Sequence, residues 1–285
     1  MAVRTMPSRL VALLLAAASL AQAHFTFVRI ATNNQWHAPF RYIRNKTEPF
    51  TEPSTPEQTD PFQNIRMYNY PTYSTDTPNS VRCGRDNMAH AGATETLSVK
   101  AGDTVEVAHV RNEPAYWRPE LFYGCPEGRG TCEKKPYVQD INHWGPLLIH
   151  LSPVPAGQDV STYDGSGEWV KIYTLGLEPS PTADPTKPVN WLAYNFQKQP
   201  PRFVFRIPEQ TPPGQYLMRV DIVWSDGWNE WRTPPFDSAQ MYPSCVQLAV
   251  ESESKAVLPK GVKIPEIFQW EQPGRLFARN VFDVL

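Results

Sequence analysis

The chain is short of charge of either sign. Two of its 27 Lys and Arg residues, Arg4 and Arg9, fall in what reads as a leader, which leaves 25 basic against 29 acidic side chains. A net charge of about −4 supplies no basic stripe for nucleic acid and no polybasic patch for an anionic membrane. Both are excluded as partners, and neutral ones fit better. Long apolar runs are equally scarce. The one continuous run, residues 10–20, is shorter than the roughly 20 residues a membrane span needs. It follows Arg4 and Arg9 and ends in Ala21-Gln22-Ala23, the order of basic, apolar and small-residue regions that marks a cleaved secretory signal. Residues 1–23 are therefore set apart from the fold, and the protein is expected to be secreted and extracellular, with His24 exposed at the mature N-terminus.

Sequence suited to long helices is also missing. The chain holds 30 prolines, and proline inside a helix costs about 3 kcal/mol, which excludes a helical bundle and favours turns and short strands. Cysteine is sparse. Four residues in an exported chain suggest two disulfides with three possible pairings, and none is spare for a separate disulfide-stapled cellulose-binding module. Cys125 and Cys132 read as a local staple. Cys83 and Cys245 would then close a very long loop, worth roughly 5 kcal/mol by chain entropy against roughly 2.5 for the short one. Internal repeats are absent, and no pair of carboxylates rises above a solvated surface, so an ordinary glycosidase lacks support.

What the sequence does carry is alternation. Residues 104–110 place Val105, Val107 and His109 on one face and Glu106, Ala108 and Val110 on the other, after the turn Ala101-Gly102-Asp103. Further strands are expected at 147–151, 168–172, 203–207, 215–223 and 245–250, and 25–29 reads as an edge strand leading away from His24. The spacing predicts an all-β fold, an antiparallel β-sandwich, with 32–81 and 178–188 as long surface loops. One domain is expected over 24–250. The alternation fades after 250, leaving 251–285 as a C-terminal extension to which the pattern assigns no role. Asn45-Lys46-Thr47 is a glycosylation sequon in a loop.

Histidine is the residue through which chemistry enters. An N-terminal His24 offers two nitrogen donors, the α-amine and a ring nitrogen, that close a chelate on one metal. With a second imidazole they form a planar set suited to Cu(II) rather than to tetrahedral zinc. With 6 histidines in 285 residues, chance seldom places one at the cleavage site. His143, in Asn142-His143-Trp144-Gly145-Pro146, is the best second ligand, because a Gly-Pro turn holds it in a loop. His109 and His150 lie on strand faces and read as core residues; His37 and His90 read as solvated loop residues.

Five pieces in order resemble the fungal lytic polysaccharide monooxygenases of auxiliary activity family nine. They are His24; Val81-Arg82-Cys83-Gly84; His143-Trp144-Gly145-Pro146; Thr211-Pro212-Pro213-Gly214-Gln215-Tyr216-Leu217; and Ala239-Gln240-Met241-Tyr242-Pro243-Ser244-Cys245. Residues 165–172 also look like the family's central strand. The resemblance implies an immunoglobulin-like antiparallel β-sandwich and one copper ion held by the α-amine and ring of His24 and the ring of His143. Tyr242 would be axial, and Gln240 would orient bound oxygen species. It implies the Cys83–Cys245 bridge, a polysaccharide substrate such as cellulose or a related β-glucan or hemicellulose, O2 or H2O2 as oxidant, an external electron donor, and a monomer. The chain departs from the family at one place. A histidine near the end of the strand starting at Gly214 is replaced by Asp226, Ser225 or Trp224, so Asp226 becomes a candidate proton carrier beside the metal. That departure motivates the alternative of a secreted copper-binding protein that sequesters or delivers the metal without oxidising glycan. The aromatics Trp36, Tyr42, Trp228 and Trp231 are candidates for stacking on sugar rings or for covering the core.

Overall fold

Alternating apolar residues require two opposed sheets to bury them, and the computed structural model contains two large sheets beside two two-stranded pairs. It describes residues 24–52, 65–66, 68–74, 76–110, 145–179, 189–192, 203–224 and 240–268. In chain order the strands are β1 (Thr26–Thr32), β2 (Gln35–Trp36), β3 (Phe50–Thr51), β4 (Ile65–Arg66), β5 (Leu97–Lys100), β6 (Thr104–Val110), β7 (Leu147–Pro153), β8 (Val170–Leu175), β9 (Leu177–Pro179), β10 (Val189–Trp191), β11 (Phe203–Arg206), β12 (Gly214–Trp224), β13 (Gln240–Met241) and β14 (Ser244–Glu251). Two short helices, α1 (Pro78–Cys83) and α2 (Asn87–Ala91), precede β5. The first sheet runs β11-β6-β1-β2 and the second β5-β14-β12-β7-β8, with β13 paired to the end of β12; the two-stranded pairs are β3–β4 and β9–β10. Neighbours are antiparallel except β14 and β5.

β12 shows how period 2 builds two cores. Its Tyr216, Met218, Val220 and Ile222 face the first sheet and meet Phe27, Val105, Val107 and Phe203. Its intervening residues Leu217, Arg219, Asp221 and Val223 face the other way. There Leu217 and Val223 join a second apolar cluster with Val81, Trp169, Ile264 and Phe268. This outer face is covered by α1 and by residues 261–268, from which Ile264, Ile267 and Phe268 join the cluster. Trp169 and Val262 exchange backbone hydrogen bonds of 2.8 and 2.9 Å. Cys83 and Cys245 form a disulfide that fastens α1 to β14 across 162 residues of sequence.

Several sequence expectations are modified. The 168–172 strand is β8, which starts at Val170 and ends the path of its sheet; the central strand is β12. The described part of 32–81 is mostly irregular, yet Ile43, Arg44, Glu52 and Tyr68 within it are buried. Extended segments dock there by backbone bonds, Arg44 N–H to Cys245 O at 2.8 Å and Gln247 N–H to Tyr42 O at 3.0 Å. A chain that pairs so sparsely needs no hydrophobic period, so its sequence resembles a surface loop. Residues 1–23, 111–144, 180–188, 225–239 and 269–285 lie outside the described residues, and with them Cys125, Cys132, His143, Asp226, Trp228 and Trp231.

His150 is 2 % exposed on β7, between Arg219 of β12 and Lys171 of β8. Burial, reinforced by Arg219 and Lys171, pushes its imidazole down to about 3. Folded His150 is neutral where the unfolded residue, with a value near 6.5, takes a proton. Its contribution is therefore fully present above about pH 6.5 and is lost as pH falls toward 3, by at most about 1.4 kcal/mol per pH unit. Urea midpoints of the metal-free protein should fall on acidification from neutral pH, and His150→Gln should flatten that dependence. An unchanged slope in the variant would show that His150 does not carry it.

Candidate metal centre

The site grows from the start of β1. Thr26 pairs with Val110 at the end of β6, so His24 stands at the rim of the first sheet, while Val223 and Trp224 at the end of β12 pair with Met241 and Gln240. Both sheets thus deliver chain ends to the same rim. Phe25 stacks on Tyr242 with ring centroids 4.3 Å apart, and the His24 ring lies 6.1 Å from the Tyr242 ring at 34°. The Tyr242 hydroxyl donates to Gln240 Oε1 at 2.9 Å. Period 2 sets Gln240 and Tyr242 on one face, and Met241, between them, points into the outer cluster. Thr72 exchanges backbone hydrogen bonds of 2.8 and 2.9 Å with Met241, which fixes the strand from its other side.

Burial, and secondarily the Arg85 guanidinium, push the His24 imidazole down to about 4. The ring is therefore neutral at ordinary pH, with one of its two nitrogens unprotonated and able to bind a metal. Burial raises the Tyr242 phenol well above its usual value, so it is a neutral hydroxyl that donates to Gln240. Arg85 is itself buried and donates to Tyr68 O at 3.0 Å and Pro71 O at 3.2 Å. That fork holds the 68–72 segment against the site and brings Tyr70 edge-on to His24 at 5.4 Å. Tyr70 was not legible in the sequence: it lies in an aperiodic segment, and only Arg85, fifteen residues later, brings it to the rim.

The backbone beneath Tyr242 rests on two charges. Tyr242 N–H donates to Asp221 Oδ1 at 2.6 Å, and Arg219 Nη2 donates to Asp221 Oδ2 at 2.7 Å. Both side chains of that ion pair are fully buried. Burial raises the Asp221 carboxyl, opposed chiefly by Arg219.

His143 lies outside the described residues, but its anchor does not. Gly145 runs so close to β12 that a Cβ there would sit 1.9 Å from Val223 O, so only glycine allows the contact. Val223 N–H donates to Pro146 O at 3.2 Å. The Gly-Pro turn is thus pinned to the residues that pair with Gln240 and Met241. Of the three residues considered for the missing histidine, Trp224 ends β12 opposite Gln240, while Ser225 and Asp226 lie outside the described residues.

The family model of Auxiliary Activity family 9 (formerly GH61) matches residues 24–283. The chain belongs to this family. It is 26% identical over 257 residues to AA9 family lytic polysaccharide monooxygenase G of Aspergillus tamarii, covering 90% of this chain and 61% of that protein. It is 28% identical over 274 residues to AA9 family lytic polysaccharide monooxygenase E of Podospora anserina, covering 95% and 68%. The chain thus spans about three fifths to two thirds of the length of these relatives. Among solved structures, CvAA9A superposes with a TM-score of 0.56 at 21% identity, covering 88% of this chain and 89% of that one. HiLPMO9B gives 0.56 at 19%, covering 90% and 93%. These neighbours share the immunoglobulin-like β-sandwich fold.

The other sequence candidates fall away from the rim or into the core. His109 is buried among Phe25, Phe27 and Phe203. His37 is in hydrogen-bond contact with Thr32 Oγ1 at 3.1 Å, and His90 with Thr47 Oγ1 at 3.0 Å. Trp36 pairs with Ala31 near the far end of β1, so it is not at the site, and Tyr42 belongs to the inter-sheet core. Asn45 is half-buried, its Oδ1 accepting from the Tyr68 hydroxyl. Among the described residues no helix is long and apolar enough to cross a membrane.

Proposed function

We propose that this chain is a lytic polysaccharide monooxygenase, the copper-dependent oxidoreductase of its family, that acts outside the cell on cellulose or a related β-glucan or hemicellulose with O2 or H2O2 as oxidant. The observation that carries the reading is a neutral His24 ring, its pKa lowered by burial, beside the ring of a tyrosine whose hydroxyl is already bonded to a glutamine. These residues suit a copper ion. After cleavage behind Ala23, the α-amine and ring of His24, the ring of His143 and the hydroxyl of Tyr242 would hold it. Copper, when bound and reduced by an external donor, supplies the oxygen activation that hydroxylates a carbon of the glycosidic bond.

The chain's own residues do the rest. Tyr242, kept protonated by burial, presents a hydroxyl rather than a phenolate to the metal. Gln240 holds that hydroxyl and offers its amide to oxygen species, and Asp226 takes the place of the histidine usual in the family as a proton carrier. Tyr70 adds an aromatic edge on which a sugar can rest. The protein acts as a monomer, carries a glycan at Asn45, and has a second disulfide between Cys125 and Cys132. A copper carrier is not favoured, because the relatives are named monooxygenases throughout.

The test is mass spectrometry of products from natively processed, copper-loaded protein given a reductant, H2O2 and a panel of cellulose, xylan and glucan. Oxidised oligosaccharides are expected, and they should vanish in the His143→Ala protein. If no oxidised product forms at full copper occupancy on any substrate, the carrier reading takes precedence.

A further inference from the structure

The segment after β14 has no part in the reading above, yet it ends on the support of Tyr242. From Gly261 the chain runs against the outer face of the second sheet. Gly261 N–H donates to Glu168 Oε2 at 2.9 Å, Lys263 Nζ to Ser166 O at 2.7 Å, and Arg82 Nε to Ile264 O at 2.8 Å. Held between the start of β8 and α1, this strap places Phe268, 6 % exposed, against the buried guanidinium of Arg219. The guanidinium carbon lies 5.1 Å from the Phe268 ring centroid.

Arg219 needs that contact. Its Nε donates to Arg82 O at 2.9 Å, and its Nη2 to Val81 O and Asp221 Oδ2 at 3.2 and 2.7 Å. Its Nη1 has no hydrogen-bond partner among the described residues. A buried cationic N–H group without a partner is costly, and the negative face of an aromatic ring offsets part of that cost.

We infer that Phe268 is a positioning residue for Tyr242: its ring holds Arg219 in place, Arg219 orients Asp221, and Asp221 fixes the backbone N–H of Tyr242. The contacts form one continuous line from the strap to the residue whose hydroxyl faces the metal position. The consequence for the metal rests on the copper-site reading; the clamp on the Tyr242 amide does not. In this account the C-terminal extension is part of the site's scaffold, and the sheet's outer face controls a group that works at its rim.

Amide hydrogen exchange of the metal-free, full-length protein reads the clamp directly. Phe268→Leu keeps an apolar side chain but removes the ring face. It should speed exchange at Tyr242 by about tenfold, while the β12–β14 ladder around Met218 and Val246 is unchanged. Phe268→Tyr, which keeps the face, should exchange like the wild type. Unchanged exchange at Tyr242 in Phe268→Leu, or acceleration shared equally by the whole ladder, would overturn the inference. On copper-loaded protein, the Cu(II) spin-resonance spectrum of Phe268→Leu should move in the same direction as that of Tyr242→Phe. A shift in Tyr242→Phe without one in Phe268→Leu would overturn this inference alone. A silent Tyr242→Phe spectrum would instead overturn the copper-ligand reading beneath it.

Discussion

A single methionine left in front of His24 should lower copper affinity more than about 100-fold, beyond what loss of a partner outside the ligand set typically costs. The added residue turns the α-amine of His24 into an amide nitrogen, which holds its proton and has no free lone pair. The five-atom path from amine to ring nitrogen no longer closes on the metal, and the donor set falls to two imidazoles. Nothing else need change, because Phe25 and the strand beyond it are packed between the sheets and hold β1 regardless of what precedes it. Competition against a chelator of known strength, on processed and extended protein with equal unfolding midpoints, measures the effect. Equal affinities would remove the N-terminal chelate from the site and leave His24 as an ordinary half-buried histidine.

Asp221→Ala should cost about 3–5 kcal/mol of folding stability. The substitution leaves the Arg219 guanidinium fully buried with only carbonyl acceptors and an aromatic face, and it deprives Tyr242 N–H of its acceptor. The larger part of the loss is the stranded charge, so removing the charge as well should restore stability. The double variant Arg219→Met, Asp221→Leu is expected to recover most of the loss, because a buried ion pair is often no better than apolar residues of similar volume. Urea unfolding of the metal-free single and double variants completes the cycle. If Asp221→Ala costs less than about 1 kcal/mol, water reaches the pair and the outer core is not closed over it.

The pair also explains how a strand can carry two charges in its middle. Arg219-Val220-Asp221 reads as a strand edge meeting solvent, since charged residues alternating with apolar ones normally face water. Here the polar face is covered by α1 and the strap, and the charges satisfy each other and the backbone instead. Alternation marked 215–223 as a strand but could not reveal that one of its faces was covered by α1 and the strap. The same limit applies to Tyr70, which stands in a segment without period and reaches the rim because Arg85 binds the carbonyls of Tyr68 and Pro71 and Thr72 pairs with Met241.

By itself the sequence determined the all-β class and the strands that alternate, raised the expectation of a metal-binding histidine behind a signal-like leader, and set Gln240 and Tyr242 on one face. Each follows from local chemistry: period 2, the intolerance of helices for proline, and the two donors of an N-terminal histidine. Only the tertiary structure decided that Trp36 stands away from the rim, that Tyr70 stands at it, and that residues 261–268 belong to the scaffold beneath Tyr242. Those outcomes depend on contacts between segments far apart in the chain. Such contacts are set by burial and by the pairing of buried polar groups, and they leave no period in the sequence to be read.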